Sequence, residues 1–193
     1  MTARHLPPPP LPLTTERLML RPLTPADADD VQRYWGDPEV ARYLPFGPLD
    51  AEATRAKVER LAANTDPQRT DEVLSLAMVH AGRVEGDLML RLGRGPDDGP
   101  PSVAEVGWVT HPEVRGIGLA AEGAGAVVDL AFGHYRCHRV TAVLDPRNTA
   151  SARLCERLGM RLEGVTRRDH WARGEWSDTA VYGLLREEWA DLS

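Results

Sequence analysis

The sequence predicts a fold of the α/β class, of the α+β type. One mixed, mostly antiparallel twisted sheet of about seven strands is expected, flanked by about four helices. The apolar patterns give the order β-α-α-β-β-β-α-β-α-β-β along 193 residues, a length that suits a single domain. Two consecutive strands form a predicted hairpin, so the first half is antiparallel. One strand, glycine loop and helix in succession give a single crossover in the second half.

The first half begins with a strand at residues 18–23, where apolar and polar residues alternate. A helix follows directly, because Thr24 is a good N-cap and the proline after it suits the first helical position. This helix ends at the Gly-Asp-Pro segment 36–38. Asp50 caps a second predicted helix at about 51–63.

The predicted hairpin consists of two β-type segments at 73–79 and 84–92, separated by the turn 81–82. Gly86 is expected to mark a bulge in the second arm. Residues 93–101 are a loop by composition, because they consist mostly of Gly, Pro and Asp.

The second half alternates strands and helices and then ends in two strands. An Asn or Thr suits the N-cap of its last helix, and a glycine suits the position after the end of that helix. The predicted elements are a strand at 103–110, a helix at 119–132, a strand at 139–144, a helix from Asn148 or Thr149 to Gly159, and strands at 160–165 and 180–185.

Composition and charge limit the partners. Hydrophobic residues make up 42% and charged residues 27%, and the net charge of −6 disfavours a nucleic-acid-binding surface. No apolar run approaches the roughly 18 residues of a membrane helix. Cys137 and Cys155 form no CxxC motif, so a reduced, cytoplasmic setting without nucleic-acid or membrane partners is expected. His134 and His138 complete no closed zinc set with Cys137, so no metal is expected.

The start of the chain differs in composition from the rest. Residues 1–13 include the consecutive prolines 7–10 and lack the apolar core of a signal peptide. A disordered, proline-rich tail at 1–13 and one domain at 14–193 are therefore expected.

The most informative segment for function is 105–120, which is predicted to be a strand, a short loop and the start of a helix. Such a junction directs successive backbone N–H groups at one spot, where the positive end of the helix dipole adds to them. Gly116 and Gly118 remove side chains that would keep a phosphate away. The sequence predicts a pyrophosphate-bearing ligand at 115–120.

A dinucleotide site is an alternative, since residues 116–121 formally match G-x-G-x-x-A and Asp145 follows the next strand. The context disfavours it. Residues 111–115 separate the strand from the first glycine, and the strand carries a glutamate and a glycine where a fully buried parallel strand would be apolar. A P-loop is also excluded, because no Gly-Lys-Ser/Thr sequence follows.

The order of elements and several short motifs resemble the GNAT N-acetyltransferase family, in particular its RimJ/RimL-like branch. The resemblance covers nearly the whole chain and implies the GNAT fold, with acetyl-coenzyme A as co-substrate. The matching motifs are Thr15-Glu16-Arg17-Leu18, Asp37-Pro38-Glu39-Val40, Glu105-Val106-Gly107-Trp108, the loop 115–120, Asn148-Thr149-Ala150-Ser151, Leu158-Gly159-Met160 and Gly174-Glu175-Trp176-Ser177-Asp178.

The resemblance implies that loop amides hold the pyrophosphate, while the pantetheine arm lies along the preceding strand, where two strands splay apart. Glu113 stands where the family commonly has Gln or Arg three residues before the first glycine. Arg115 fills that place if the register is set on the second glycine instead. The sequence therefore does not decide whether Glu113 or Arg115 faces the phosphates. The implied coenzyme site consists of Val109, Thr110, Arg115, Gly116, Ile117, Gly118, Leu119, Ala120 and Asn148.

Acetyl transfer to an amine needs a base for the amine and a proton donor for the leaving thiolate. The resemblance implies Glu105 as the base, directly or through water; a glutamate on a solvated strand face is the alternative. It implies Ser151 as the acid, because Cys155 occupies the position of the tyrosine that many family members use. An exposed first-turn serine is the alternative for Ser151.

Several side chains belong to segments that wall the acceptor cleft in such folds. Core packing is the alternative role for Trp35, and turn capping is the alternative for Asp178. The residues expected to contact the acceptor are Trp35, Tyr43, His170 and Asp178.

The predicted function is an acetyl-coenzyme A-dependent N-acetyltransferase in which a primary amine attacks the thioester directly in a ternary complex. The acceptor is a protein N-terminal amine, as on ribosomal proteins, or a small amine or antibiotic. The alternatives are a non-catalytic module that senses acyl-coenzyme A, and a transferase of a longer acyl group such as succinyl. A homodimer is possible.

Overall fold

The computed structural model of the chain describes residues 6–68, 73–93, 95 and 102–191. Within these residues the chain forms one eight-stranded sheet and six α-helices. The strands are β1 (Leu13–Thr14), β2 (Met19–Pro22), β3 (Leu74–His80), β4 (Arg83–Gly93), β5 (Val103–Thr110), β6 (Arg139–Leu144), β7 (Arg161–Ala172) and β8 (Glu175–Leu185). The helices are α1 (Ala28–Trp35), α2 (Pro38–Ala41), α3 (Ala51–Ala62), α4 (Leu119–Asp129), α5 (Thr149–Arg157) and α6 (Arg186–Ala190).

The sheet has the strand order β1-β2-β3-β4-β5-β6-β8-β7. Neighbouring strands are antiparallel except β5 and β6, which are parallel and enclose the crossover through α4. This confirms the predicted fold class. Over its described residues, the chain has one more strand, β1, and two more helices, α2 and α6, than predicted. These elements have only two, four and five residues and leave little periodic signal.

The two faces of the sheet pack against different helices. On one face, Ala104 and Val106 of β5 belong to a core cluster that includes residues of α4 and α5. On the other face, a second cluster joins α1 and α3 to the sheet, and Val109 packs against it. Because side chains alternate along a strand, Glu105 lies on the same face as Val109.

β5 and β6 separate part of the way along their length. They pair from Val103 opposite Arg139 to Glu105 opposite Thr141, and no register pair follows among the described residues. β6 continues to pair with β8 as far as Leu144. A gap therefore opens in the sheet beside the second half of β5, at the place where the family resemblance implies that two strands splay apart.

Local signals in the sequence account for the ends of these elements. The Asp50 carboxylate accepts a hydrogen bond from the Ala53 N–H at 2.8 Å, as predicted for the N-cap of α3. Gly159 has φ of +78° and ends α5, which confirms its predicted position after the helix. The predicted bulge at Gly86 is also confirmed, because the pairing of β3 with β4 shifts register opposite this glycine.

The N-terminal segment lies against the domain over its described part. Leu6 and Leu11 pack against the larger core cluster, and the Leu6 N–H donates to the Gln68 side chain at 3.0 Å. The division into a tail at 1–13 and one domain at 14–193 stays a prediction. Among the described helices, none is long and apolar enough to span a membrane.

Candidate active site

The glycine loop connects β5 to α4 through a short 3-10 turn at Pro112–Val114. Gly116 and Gly118 have φ of +79° and +89°, in the left-handed region that residues with a Cβ rarely adopt. Gly118 is the residue directly before α4. The two glycines therefore set the path of the backbone as well as clearing space.

The loop presents a run of unpaired backbone donors. Among the described residues, the N–H groups of residues 116–121 donate none of the hydrogen bonds found outside regular helices and strands. The first N–H groups of a helix have no partner within it, and the positive end of its dipole lies at the same place. This arrangement can hold a pyrophosphate without any cationic side chain.

The sequence does not decide between Glu113 and Arg115 as the side chain that faces the phosphates. The two side chains differ in their surroundings. The Glu113 carboxylate lies 3.6 Å from Arg33 Nη2 and 3.6 Å from His111 Nδ1, in a polar cluster that joins the loop to α1. Arg115 is exposed and forms no ion pair with any described residue. These surroundings favour Arg115 as the side chain that is available to a phosphate.

Glu105 lies opposite Arg91 on β4, and its carboxylate accepts a hydrogen bond from Arg91 Nη1 at 3.1 Å. Val109 lies four positions after Glu105, which corresponds to about 13 Å along an extended strand. Its N–H points to β4, because the His111 N–H donates to the Glu85 carbonyl in the same ladder and alternate residues of β5 bond to β4. The Thr110 N–H faces the gap instead, and a thioester held there is too far from Glu105 for direct proton transfer from the attacking amine. Water or the acceptor itself has to bridge this distance.

The first turn of α5 carries both polar residues that were singled out in the sequence. The Asn148 side-chain oxygen accepts from the Ser151 N–H at 3.1 Å, so Asn148 caps the helix and keeps its amide donors for another partner. Trp108 Nε1 donates to Ser151 Oγ at 3.2 Å. Because this bond uses the hydroxyl as an acceptor, the hydroxyl proton stays available for donation. The bond also ties α5 to β5 beside the gap.

Asp87 of β4 carries a buried carboxylate beside the end of β5. This residue was not predicted from the sequence as part of the site. It pairs in register with Val109, and it accepts a hydrogen bond from Trp35 Nε1 at 3.0 Å. Burial raises the pKa of Asp87 to about 6. The neighbouring Gly86 is required here, since a Cβ would clash with the Val109 carbonyl oxygen. A lone aspartate within a mostly apolar strand was the signal in the sequence.

The expected acceptor residues lie on two walls. Trp35 is buried at the end of α1, where it contacts Phe46 edge-to-face, and Tyr43 lies just beyond α2. His170 and Asp178 lie on the opposite wall, in the hairpin of β7 and β8. Arg173 at the turn of this hairpin donates to the Ala41 carbonyl at 2.6 Å, which joins the two walls.

Asp178 has a defined partner within the hairpin. Its carboxylate accepts a hydrogen bond from the Arg168 N–H at 2.9 Å. Arg168 has φ of +50° and lies where the pairing of β7 with β8 shifts register between Thr166 and His170. Asp178 therefore stabilises a bulge, which limits the oxygen atoms that it can offer to an acceptor.

The cysteines have no exposed sulfur. Cys137 and Cys155 are both buried, and burial raises the pKa of the Cys155 thiol to about 12. Such a thiol stays protonated near neutral pH and is a poor nucleophile. In the part of the chain that is described, no group of three or more His, Cys, Asp or Glu side chains could hold a metal ion.

Comparison with known proteins gives one family. Residues 17–161 match the acetyltransferase (GNAT) domain. YnaD of Bacillus subtilis strain 168, described as an uncharacterized N-acetyltransferase, is 29% identical over 177 residues, covering 92% of this chain and 98% of the relative. A GNAT-family acetyltransferase from Bacillus anthracis is 28% identical with a TM-score of 0.78, covering 91% of this chain and 98% of that one. RimJ of Mycobacterium smegmatis, solved in complex with CoA-disulfide, shares the fold at 22% identity with a TM-score of 0.77, covering 93% and 90% of the two chains.

Proposed function

Since the chain belongs to the acetyltransferase (GNAT) family, we propose that it transfers an acetyl group from acetyl-coenzyme A to a primary amine, in a ternary complex. The observation that carries this proposal is the glycine loop. Its left-handed glycines and the unpaired amides of residues 116–121 form a cradle for a pyrophosphate at the start of α4. The pairing of β5 with β6 ends at Glu105, and we place the pantetheine arm in the gap that follows beside the second half of β5.

The proposed coenzyme contacts follow the chain from the loop to the gap. The amides of residues 116–120, including that of Ile117, hold the pyrophosphate, and the Arg115 side chain faces it. Val109 and Thr110 lie beside the gap, and the Thr110 N–H faces it and polarises the acetyl carbonyl, since the Val109 N–H is directed to β4. Asn148 offers its amide donors to the pantetheine from the other side of the gap.

The proposed chemistry is direct attack of the neutral amine on the thioester carbonyl. Glu105 takes the amine proton through water, since about 13 Å of strand separates it from Val109. The C–S bond then breaks, and Ser151 Oγ gives its proton to the leaving thiolate. The buried Cys155 takes no covalent part, because its thiol stays protonated.

The acceptor we propose is the amine of a protein N-terminus, as in the RimJ/RimL-like branch, or of a small molecule. The motifs that resemble this branch and the shared fold of RimJ support the first choice. Tyr43, His170 and the neighbouring parts of the two walls contact the acceptor in this proposal. The cytoplasmic setting and a homodimer stay predictions.

The test measures coenzyme A release with a thiol reagent, in the presence of acetyl-coenzyme A and a panel of amines and N-terminal peptides. Succinyl-coenzyme A serves as a second donor. We expect turnover with acetyl-coenzyme A, and the Gly118→Val variant should bind coenzyme A at least about a hundredfold more weakly, because valine does not tolerate the left-handed backbone.

Gly174→Val provides the matched control, since Gly174 also has a positive φ of +78° but lies in the β7–β8 turn. It should lose stability locally and keep its affinity for coenzyme A. Tight coenzyme binding without turnover on any acceptor would favour a non-catalytic sensing module. Faster turnover with succinyl-coenzyme A would overturn the choice of acyl group.

A further inference from the structure

The segment of residues 15–18, just before β2, is bound to the coenzyme loop through Arg17. Its guanidinium donates from Nη1 to the Ile117 carbonyl at 2.8 Å and from Nε to the Glu122 carboxylate at 2.7 Å. The Arg17 N–H and the Thr15 hydroxyl both donate to the other Glu122 oxygen, at 2.7 and 2.5 Å. One arginine therefore joins the loop, the first turn of α4 and the chain before β2.

The position of Glu122 conflicts with the proposed ligand. It lies in the first turn of α4, where a carboxylate stabilises the helix but repels any other anion at the same end. Burial alone would raise the pKa of Glu122, yet the hydrogen bonds from Thr15 and Arg17 and the guanidinium charge bring it below its ordinary value. The carboxylate is thus ionised beside a site that has to accept a pyrophosphate.

Arg17 compensates for this charge and also fixes the loop. Its Nη2 lies 2.7 Å from Glu122 Oε2 and 3.4 Å from the place of a Cβ on Gly118. In a trans peptide, the carbonyl of one residue and the N–H of the next point in opposite directions. By holding the Ile117 carbonyl on its own side, Arg17 directs the Gly118 N–H to the opposite side of the loop.

We propose that Arg17 is a positioning residue for coenzyme binding: it neutralises Glu122 and orients the Ile117–Gly118 peptide, so that the start of α4 accepts a pyrophosphate. Arg17 does not need to touch the coenzyme for this effect. The inference rests on the proposed function, because it concerns the affinity of the same loop for coenzyme A.

The experiment is a double-mutant cycle on the full chain, with coenzyme A as the probe in calorimetry and acetyl-coenzyme A in steady-state kinetics. Arg17→Met should raise the Kd of coenzyme A about tenfold or more, because it leaves the Glu122 charge unpaired. Arg17→Met combined with Glu122→Gln should recover part of the lost affinity, since the unpaired charge is gone while the bond to the Ile117 carbonyl stays missing. Arg17→Lys, which keeps the charge, should stay within about threefold of the wild-type Kd. The KM for acetyl-coenzyme A should follow the Kd, while kcat at saturation changes less than about twofold.

Arg21→Met is the matched control, since Arg21 bonds the Asp27 carboxylate through two nitrogens at 2.7 Å, away from the coenzyme loop. It should leave the Kd of coenzyme A unchanged.

Unchanged affinity in Arg17→Met, or no recovery in the double variant, would overturn the inference while wild-type binding still supports the proposed function. Absence of coenzyme A binding by the wild-type protein would overturn both. If Arg17→Met does not fold, Glu122→Gln alone decides: a Kd equal to or below that of the wild type supports charge compensation, and a clearly weaker one contradicts it.

Discussion

At the scale of single residues, Glu105 is held in place by its environment before any substrate arrives. The ion pair with Arg91 holds the carboxylate on the face of β5 that it shares with Val109. The effect of Glu105 on catalysis is expected to be moderate, because water has to carry the proton over about 13 Å of strand.

We expect Glu105→Gln to lower kcat by about a hundredfold, the lower end of the usual contribution of one general base, because the proton passes through water. The Kd of coenzyme A should stay within about twofold, because the side chain lies away from the loop. Steady-state kinetics and calorimetry measure the two quantities. Glu163→Gln is the control, since Glu163 also pairs with an arginine, Arg139, on an exposed strand. Equal turnover of Glu105→Gln and the wild type would assign Glu105 to the ion pair alone.

At the scale of elements, the β7–β8 hairpin is predicted only in part from the sequence. The sequence predicts strands at 160–165 and 180–185, but the hairpin extends over Arg161–Ala172 and Glu175–Leu185. Almost every residue of β7 is exposed, so no alternation between buried and exposed positions marks its outer half. The bulge at Arg168 further disturbs the alternation of side chains between the two faces of the strand.

The helices and inner strands were predictable because their signals are local. Asp50, Asn148 and Gly159 act within three residues of their own position, and each was recognised. The polar side chains of the candidate site were recognised only where a motif contains them. For Asp87, the aspartate among apolar residues of its strand was a signal, but its partner Trp35 lies 52 residues away and no local pattern identifies that contact.

The bulge in β7 gives a prediction at this scale. Asp178→Ala should loosen the outer part of the hairpin, because the Arg168 N–H loses its charge-assisted acceptor, a loss of about 1–2 kcal/mol. Hydrogen exchange of the amides around residues 168–173 should accelerate by about tenfold. Asp178→Asn keeps an oxygen at the same place and should accelerate exchange less. Equal exchange in Asp178→Ala and the wild type would show that the bulge holds without this bond.

At the scale of the whole molecule, two buried carboxylates make the stability depend on pH in opposite directions. Burial raises the pKa of Asp87 to about 6, above its value in the unfolded chain. Its contribution to stability is therefore present at low pH and is lost as the pH rises through about 6. Burial also acts to raise the pKa of Asp27, but its bonds to Arg21 and Thr24 bring it below the ordinary value. Asp27 therefore stabilises the fold above the unfolded pKa, and this contribution is lost as the pH falls.

We expect Asp87→Asn to gain free energy of unfolding relative to the wild type between about pH 5 and about pH 8, by 1–2 kcal/mol in order of magnitude. The variant no longer has to bury an ionised carboxylate, and its amide oxygen can still accept from Trp35. Urea denaturation at the two pH values measures the difference. Asp27→Asn is the comparison and should lose nearly the same free energy of unfolding at both pH values, because both lie above the unfolded pKa of Asp27. A difference for Asp87→Asn that is independent of pH would contradict burial of the charge.

The early separation of β5 and β6 has a mechanical consequence. Among the described residues, three register pairs, from Val103–Arg139 to Glu105–Thr141, are all that joins β1–β5 to β6–β8 within the sheet. This short seam lies at one end of the two strands, so backbone pairing does not fix the distance between the two half-sheets beside the gap. The two walls of the acceptor cleft belong to different half-sheets. Helices α1 and α2 belong to the half with β1–β5, and the β7–β8 hairpin belongs to the half with β6–β8. A molecule bound in the gap would thus hold the two half-sheets apart. Its thickness would then influence the distance between the two walls of the acceptor cleft.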